Sequence, residues 1–297
     1  MPEPLSRRSF LVAGGAALTL AACSSSAPSS SANSNVISSA GARPAWNLVE
    51  LSSVDSLAAG ARVRFPYGLA DADGAFPATP PVQSLSFTVL DPSGAPVSLP
   101  QTVTARSEGL PRAYFPLELL PPAPGAYTVR SDVLGTPVEA FLQIGDGGSV
   151  PQPGEPMVPF DTPTAADRKG VELLCTNDPP CPLHDVTLTQ ALSETRPLAF
   201  LIATPKYCQV AVCGPVLDNL LALSSEFPTV RFLHSEVYPS DAAAQPATLK
   251  EVPVVTAYGL TYEPVLFLAG ADGKVRSRLD SIFDQSELRA ALTALAA

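Results

Sequence analysis

The chain has 297 residues, 28 acidic against 18 basic side chains, a net charge of −10 and 46% hydrophobic residues. An acidic chain with no basic run argues against nucleic acid as a partner and against electrostatic docking on anionic lipid. Five cysteines, two histidines and 33 prolines carry most of the remaining information.

Ser6-Arg7-Arg8-Ser9-Phe10-Leu11 sets charge ahead of an apolar run that ends at Ala22, the order an export signal requires. The run is shorter than the roughly 20 residues of a spanning helix, so residues 1–22 are expected to target the chain and not to cross the bilayer. The paired arginines resemble a twin-arginine signal, which exports proteins already folded. Leu20-Ala21-Ala22-Cys23 resembles the lipobox of bacterial lipoproteins. That resemblance implies cleavage before Cys23, a lipid on its thiol, and residence on the extracytoplasmic face of the cell membrane. Residues 23–45 are dominated by Ser, Ala and Asn, which bury too little to fold and read as a flexible tether.

From 46 to 145 the pattern is that of short strands. Leu85, Phe87 and Val89 alternate with smaller or polar residues before the turn Asp91-Pro92-Ser93-Gly94; Tyr127-Thr128-Val129 and 139–144 repeat the alternation. No helical stretch interrupts them, so an all-β antiparallel sandwich is expected. Pro124-Gly125-Ala126-Tyr127-Thr128-Val129 resembles the loop and penultimate strand of bacterial immunoglobulin-like modules, which implies that the Tyr127 hydroxyl bonds a nearby backbone group. The stretch holds no His, Met or Cys, so a soft-metal site inside it is not expected. Residues 146–164, rich in Pro and Gly, read as a linker.

Residues 165–297 read as an α/β unit. A short strand at 186–188 and a helical turn at 190–194 lead to an apolar run at 198–203, which suits a strand covered on both faces. A loop at 204–212, a helix at 215–225 and a strand at 230–237 complete a βαβ unit. A hairpin at 265–279 turns on Ala271-Asp272-Gly273-Lys274, and a helix at 286–295 closes the chain.

Three motifs in this stretch are similar to the thioredoxin fold. Cys213-Gly214-Pro215 opens a helix, Glu263-Pro264 stands where thioredoxins place a cis-proline beside the active disulfide, and Asp272-Gly273-Lys274-Val275 is similar to the hairpin turn of membrane-tethered thioredoxin-like oxidoreductases. The resemblance implies thiol–disulfide exchange by Cys208 and Cys213 with protein thiols or disulfides outside the cytoplasm. Gly214, Pro215, Glu263 and Pro264 would support them, and no cofactor is implied. The departure from thioredoxin is that Val216 takes the place of the second active cysteine, and four residues separate the pair instead of two. Alignment by Cys-Gly-Pro makes Cys213 the attacking thiol; alignment by distance from the preceding strand makes it Cys208. A helix N-terminus favours thiolate at Cys213.

With Cys23 lipidated, four cysteines remain and allow three pairings. Cys175 and Cys181 precede the fold and are expected to form a structural disulfide. Cysteines with His184 and His234 could hold copper or zinc, but His234 alternates with Leu233 and reads as part of a polar sheet face, so no metal is expected. Rival functions are a two-cysteine thiol peroxidase, suggested by the five-residue step from Cys208 to Cys213, a copper-binding protein, and a non-enzymatic scaffold.

Overall fold

The computed structural model describes residues 45–52 and 57–297. The export signal, the lipobox cysteine Cys23 and nearly all of the tether lie outside the described residues. Among those described, no helix is long and apolar enough to cross a membrane.

The first half forms seven strands: β1 (Trp46–Glu50), β2 (Val63–Asp71), β3 (Ser84–Leu90), β4 (Gln101–Thr104), β5 (Phe115–Leu119), β6 (Gly125–Val133) and β7 (Thr136–Ile144). They make two antiparallel sheets, ordered β1-β2-β5 and β4-β3-β6-β7, whose inner faces share one core. Leu85, Phe87 and Val89 of β3 and Val138, Ala140, Leu142 and Ile144 of β7 are buried at every second position, as the alternation requires. Tyr127 donates its hydroxyl to the Ala123 carbonyl at 2.6 Å, the backbone bond expected of it. β2 escapes a reading by alternation because six consecutive residues, Phe65 to Ala70, are buried. It also contains Pro66, which lies opposite Pro116 of β5. The Pro66 carbonyl turns the other way and accepts from Leu51 N at 2.9 Å, so the step between the two prolines calls for no N–H donor.

The second half alternates α1 (Leu188–Ser193), β8 (Leu198–Ile202), α2 (Cys213–Ser224), β9 (Arg231–Ser235), α3 (Pro253–Ala257), β10 (Val265–Ala269), β11 (Val275–Asp280) and α4 (Gln285–Ala296). The sheet order is β11-β10-β8-β9, with β8 and β9 parallel and the other pairs antiparallel. β8 and β10 are buried along their whole length because apolar clusters cover both faces. α1 and α3 supply one cluster, while α2 and α4 supply the other. The expected strand at 186–188 does not form. Thr187 instead caps α1 through a reciprocal pair of bonds with Gln190, which competes successfully for that backbone.

Residues 146–164 are not a free linker. Val150 and Met157 enter the second core, and Met157 N and Val275 N bond to Gly273 O and Glu155 O at 2.8 Å each, lining the outer side of β11. On the opposite rim, His234 N of β9 donates to Leu183 O at 3.0 Å. Nor are the two halves separate bodies, since Arg43–Ala297 clusters as one compact unit. The reason is a polar seam: Arg64 of β2 reaches Glu287 of α4, and Tyr114 OH accepts from Asp284 N at 2.9 Å. Gly109, at φ +74°, lets the 105–114 loop approach so closely that a Cβ there would meet Asn219 Oδ1 of α2 at 2.1 Å.

Candidate functional site

Cys208 and Cys213 are joined as a disulfide, with Cα atoms 5.9 Å apart. Cys213 is the first residue of α2 and fully buried, whereas Cys208 is half-buried in the loop before it. The cap residue Val212 offers no side-chain acceptor, and the free N–H of Cys213 points at Cys208 Sγ, 3.3 Å away. The helix terminus therefore favours negative charge on Cys208 as well as on the cysteine within the helix. Sequence spacing left that choice open; the direction of this N–H was not legible in it.

Gly214 and Pro215 continue the first turn of α2, where proline forfeits an N–H that has no intrahelical partner. The Glu263-Pro264 peptide is cis, as the motif implied. The Glu263 carboxylate accepts from Thr204 N at 2.5 Å and so ties the β10 approach to the start of the cysteine loop. Burial pushes the Glu263 carboxyl up to about 8, against the lowering effect of that N–H. A cleft of about 240 Å³ opens beside the loop, lined by Gln209, Val210, Tyr238, Glu251, Tyr262 and Glu263. Lys206 Nζ bonds Asp241 at 2.9 Å, which holds the near end of the loop.

The sandwich contributes to this site, which its sequence did not signal. Arg112 Nη2 donates to Val210 O at 2.7 Å, while its guanidinium lies 5.1 Å from the centre of the Phe76 ring. Leu51 and Leu110 pack in a small apolar cluster with Cys208, Val212 and Tyr114.

The expected Cys175–Cys181 disulfide is not formed; both cysteines are free. Their sulfurs are turned toward two imidazoles. Cys181 Sγ lies 3.2 Å from His184 Nε2 and 3.4 Å from His234 Nδ1, and Cys175 Sγ lies 3.9 Å from the same His234 atom. Cys181, His184 and His234 are buried and Cys175 is half-buried. The Cys181 thiol and both imidazoles hold the Cys175 thiol far below its ordinary range, and the shared proton with burial drives Cys181 up. His234 faces inward from β9, so the reading of it as part of a polar sheet face is replaced by membership of this cluster.

No family model matches the chain, and no curated protein does. Two solved structures are similar to parts of it. One is the crystal structure of the Lin-41 filamin domain, at 22% identity and a TM-score of 0.25, covering 36% of this chain and 97% of that one. The other is the "C-terminal domain of putative thiol-disulfide oxidoreductase from Bacteroides thetaiotaomicron", at 13% identity and a TM-score of 0.33, covering 49% of this chain and 96% of that one.

Proposed function

We propose that this protein is an extracytoplasmic thiol–disulfide oxidoreductase, with an immunoglobulin-like module packed against a thioredoxin-like one and a lipid on Cys23 as its membrane anchor. The observation that carries the reading is the Cys213 N–H aimed at the sulfur of the more accessible Cys208. Cys208 is then the sulfur a partner reaches, and Cys213 the buried leaving group and resolving thiol. In the oxidised chain a partner thiolate attacks Cys208 Sγ, a new S–S bond forms, and the Cys208–Cys213 bond breaks with its electron pair going to Cys213, which takes up a proton. A second partner thiolate then attacks the partner's own sulfur in the mixed disulfide and expels Cys208. The partner gains a disulfide, and two electrons and two protons pass to the chain. The reverse sequence reduces a partner.

Trapping tests this. Cys213→Ser leaves Cys208 with no resolving thiol, so a mixed disulfide with a partner protein is expected to accumulate through Cys208, while Cys208→Ser traps little. If neither variant traps protein and the purified chain consumes peroxide faster than a model disulfide, the thiol peroxidase reading takes its place. The anchor is tested separately: Cys23→Ser is expected to move the protein from the membrane to the soluble fraction, and continued membrane retention overturns that part.

A further inference from the structure

Outside the disulfide, one group of side chains among the described residues has the composition and placement of a ligand set. Cys175, Cys181, His184 and His234 each offer one ligand atom, and all four atoms lie within 4.8 Å of one another. We propose that they hold a single zinc ion in a closed, structural site.

The spacing fits the ion. Tetrahedral zinc with Zn–S near 2.3 Å and Zn–N near 2.0 Å sets its donors about 3.3 Å apart for N to N and about 3.5 Å for S to N. Here His234 Nδ1 and His184 Nε2 are 3.3 Å apart, three of the four sulfur-to-nitrogen distances are 3.2, 3.4 and 3.9 Å, and every pair of ligand atoms lies within 4.8 Å. A donor set of two thiolates and two imidazoles disposed in this way selects zinc over metals that prefer oxygen or a planar site.

The surroundings orient the donors as metal sites require. His234 Nε2 lies 3.0 Å from the Ala203 carbonyl, and donating to it leaves Nδ1 as a bare lone pair facing the other three. The backbone N–H of Cys181 donates to Cys175 Sγ at 3.2 Å, a bond that stabilises a ligating thiolate. Glu236, 3% exposed, accepts from Thr176 N and from Thr176 Oγ1 at 2.7 Å, fixing the backbone next to Cys175.

Charge and connectivity support the same reading. Zinc binds both sulfurs as thiolates, and the two cancel its charge, so a neutral centre occupies the buried position. With four protein donors no coordination position is left for a substrate, which makes the ion a fastener. It would clamp the 175–184 segment to β9. Thr176 Oγ1 accepts from Lys206 N at 3.2 Å, so the clamp also bears on the loop that carries Cys208.

The test uses the full chain, mildly reduced and freed of metal. We expect one zinc per chain by native mass spectrometry, and thiolate charge-transfer and tetrahedral visible bands when cobalt(II) is substituted. Cys175→Ser and His234→Gln are expected to weaken zinc binding by about 100-fold or more, whereas a Cys208→Ser, Cys213→Ser double variant keeps full affinity. Should His234→Gln fail to fold, the wild-type cobalt spectrum and zinc stoichiometry decide alone. The proposal is overturned if reduced wild-type chain binds no stoichiometric zinc, if it binds copper(I) and not zinc, if binding disappears with Cys208 and Cys213, or if the native protein carries a Cys175–Cys181 disulfide. None of these outcomes depends on whether Cys208 traps a partner.

Discussion

The guanidinium of Arg64 grips the carboxylate of Glu287 through two parallel contacts, Nε to Oε1 at 2.5 Å and Nη2 to Oε2 at 2.6 Å, in a seam where both side chains are largely buried. Two further bonds from Arg64 go to the carbonyls of Asp280 at 3.0 Å and Ile282 at 2.5 Å, and Tyr114 OH donates to Glu287. Removing one member strands a buried charge. Arg64→Ala or Glu287→Ala is therefore expected to destabilise the chain by about 3–5 kcal/mol, while a paired replacement by Met and Leu costs far less. Urea unfolding followed by fluorescence and by far-ultraviolet dichroism checks this. The wild type should show one transition, and the single variants should separate the sandwich from the rest.

Arg112 carries the sandwich's influence to the cysteine loop. Its bond to Val210 O comes from a charged donor, and near the surface water competes for both partners. Arg112→Ala is expected to loosen the loop and speed reduction of the Cys208–Cys213 bond by a small thiol about tenfold, with the melting temperature changed little. An unchanged reduction rate would show that the module only sits beside the loop.

Glu263 predicts a pH dependence. Its carboxyl is raised from an ordinary 4.5 to about 8, so between those values the folded chain holds a proton that the unfolded chain has lost. This contribution to stability is complete below about pH 4.5 and is lost as pH rises through about 8, with a slope of up to about 1.4 kcal/mol per pH unit. Glu263→Gln removes it. Chemical denaturation across this range should show a flatter profile for the variant, the remaining slope including Glu50, which burial raises to about 7.

Tyr127→Phe deletes the hydroxyl that bonds Ala123 O. A loss of about 1 kcal/mol is expected from the shift in denaturation midpoint. The disulfide's reduction rate should not move, because the bond lies within the sandwich.

What was legible in the sequence followed from whether a signal was local. The buried β8 and β10, the helix opening at Cys213, the 270–274 turn and the Tyr127 bond each rest on residues within a few positions of one another. β2 was hidden because its outer face is also buried, at Gly68 against Phe76 and Leu51, and its proline lies between strands where no donor is needed. The 146–164 segment reads as spacer by composition, and only Val150 and Met157 reveal that it packs. Cys175 and Cys181 suggested a disulfide by closeness and by export. What turns them otherwise is His234, more than fifty residues away and brought alongside by β9.

At one point on each outer strand of the second sheet the main chain is engaged from outside, Val275 of β11 by Gly154 and Glu155 and His234 of β9 by Leu183. An exposed rim is what lets one chain recruit the next into a growing ribbon, and here the stretch leading into the domain interrupts both rims. Molecules held close together would thus find a shortened template for strand-to-strand aggregation. Fraying of residues 150–184 would uncover both rims at once, so the first sign of damage to this protein should be self-association, ahead of any loss of its core.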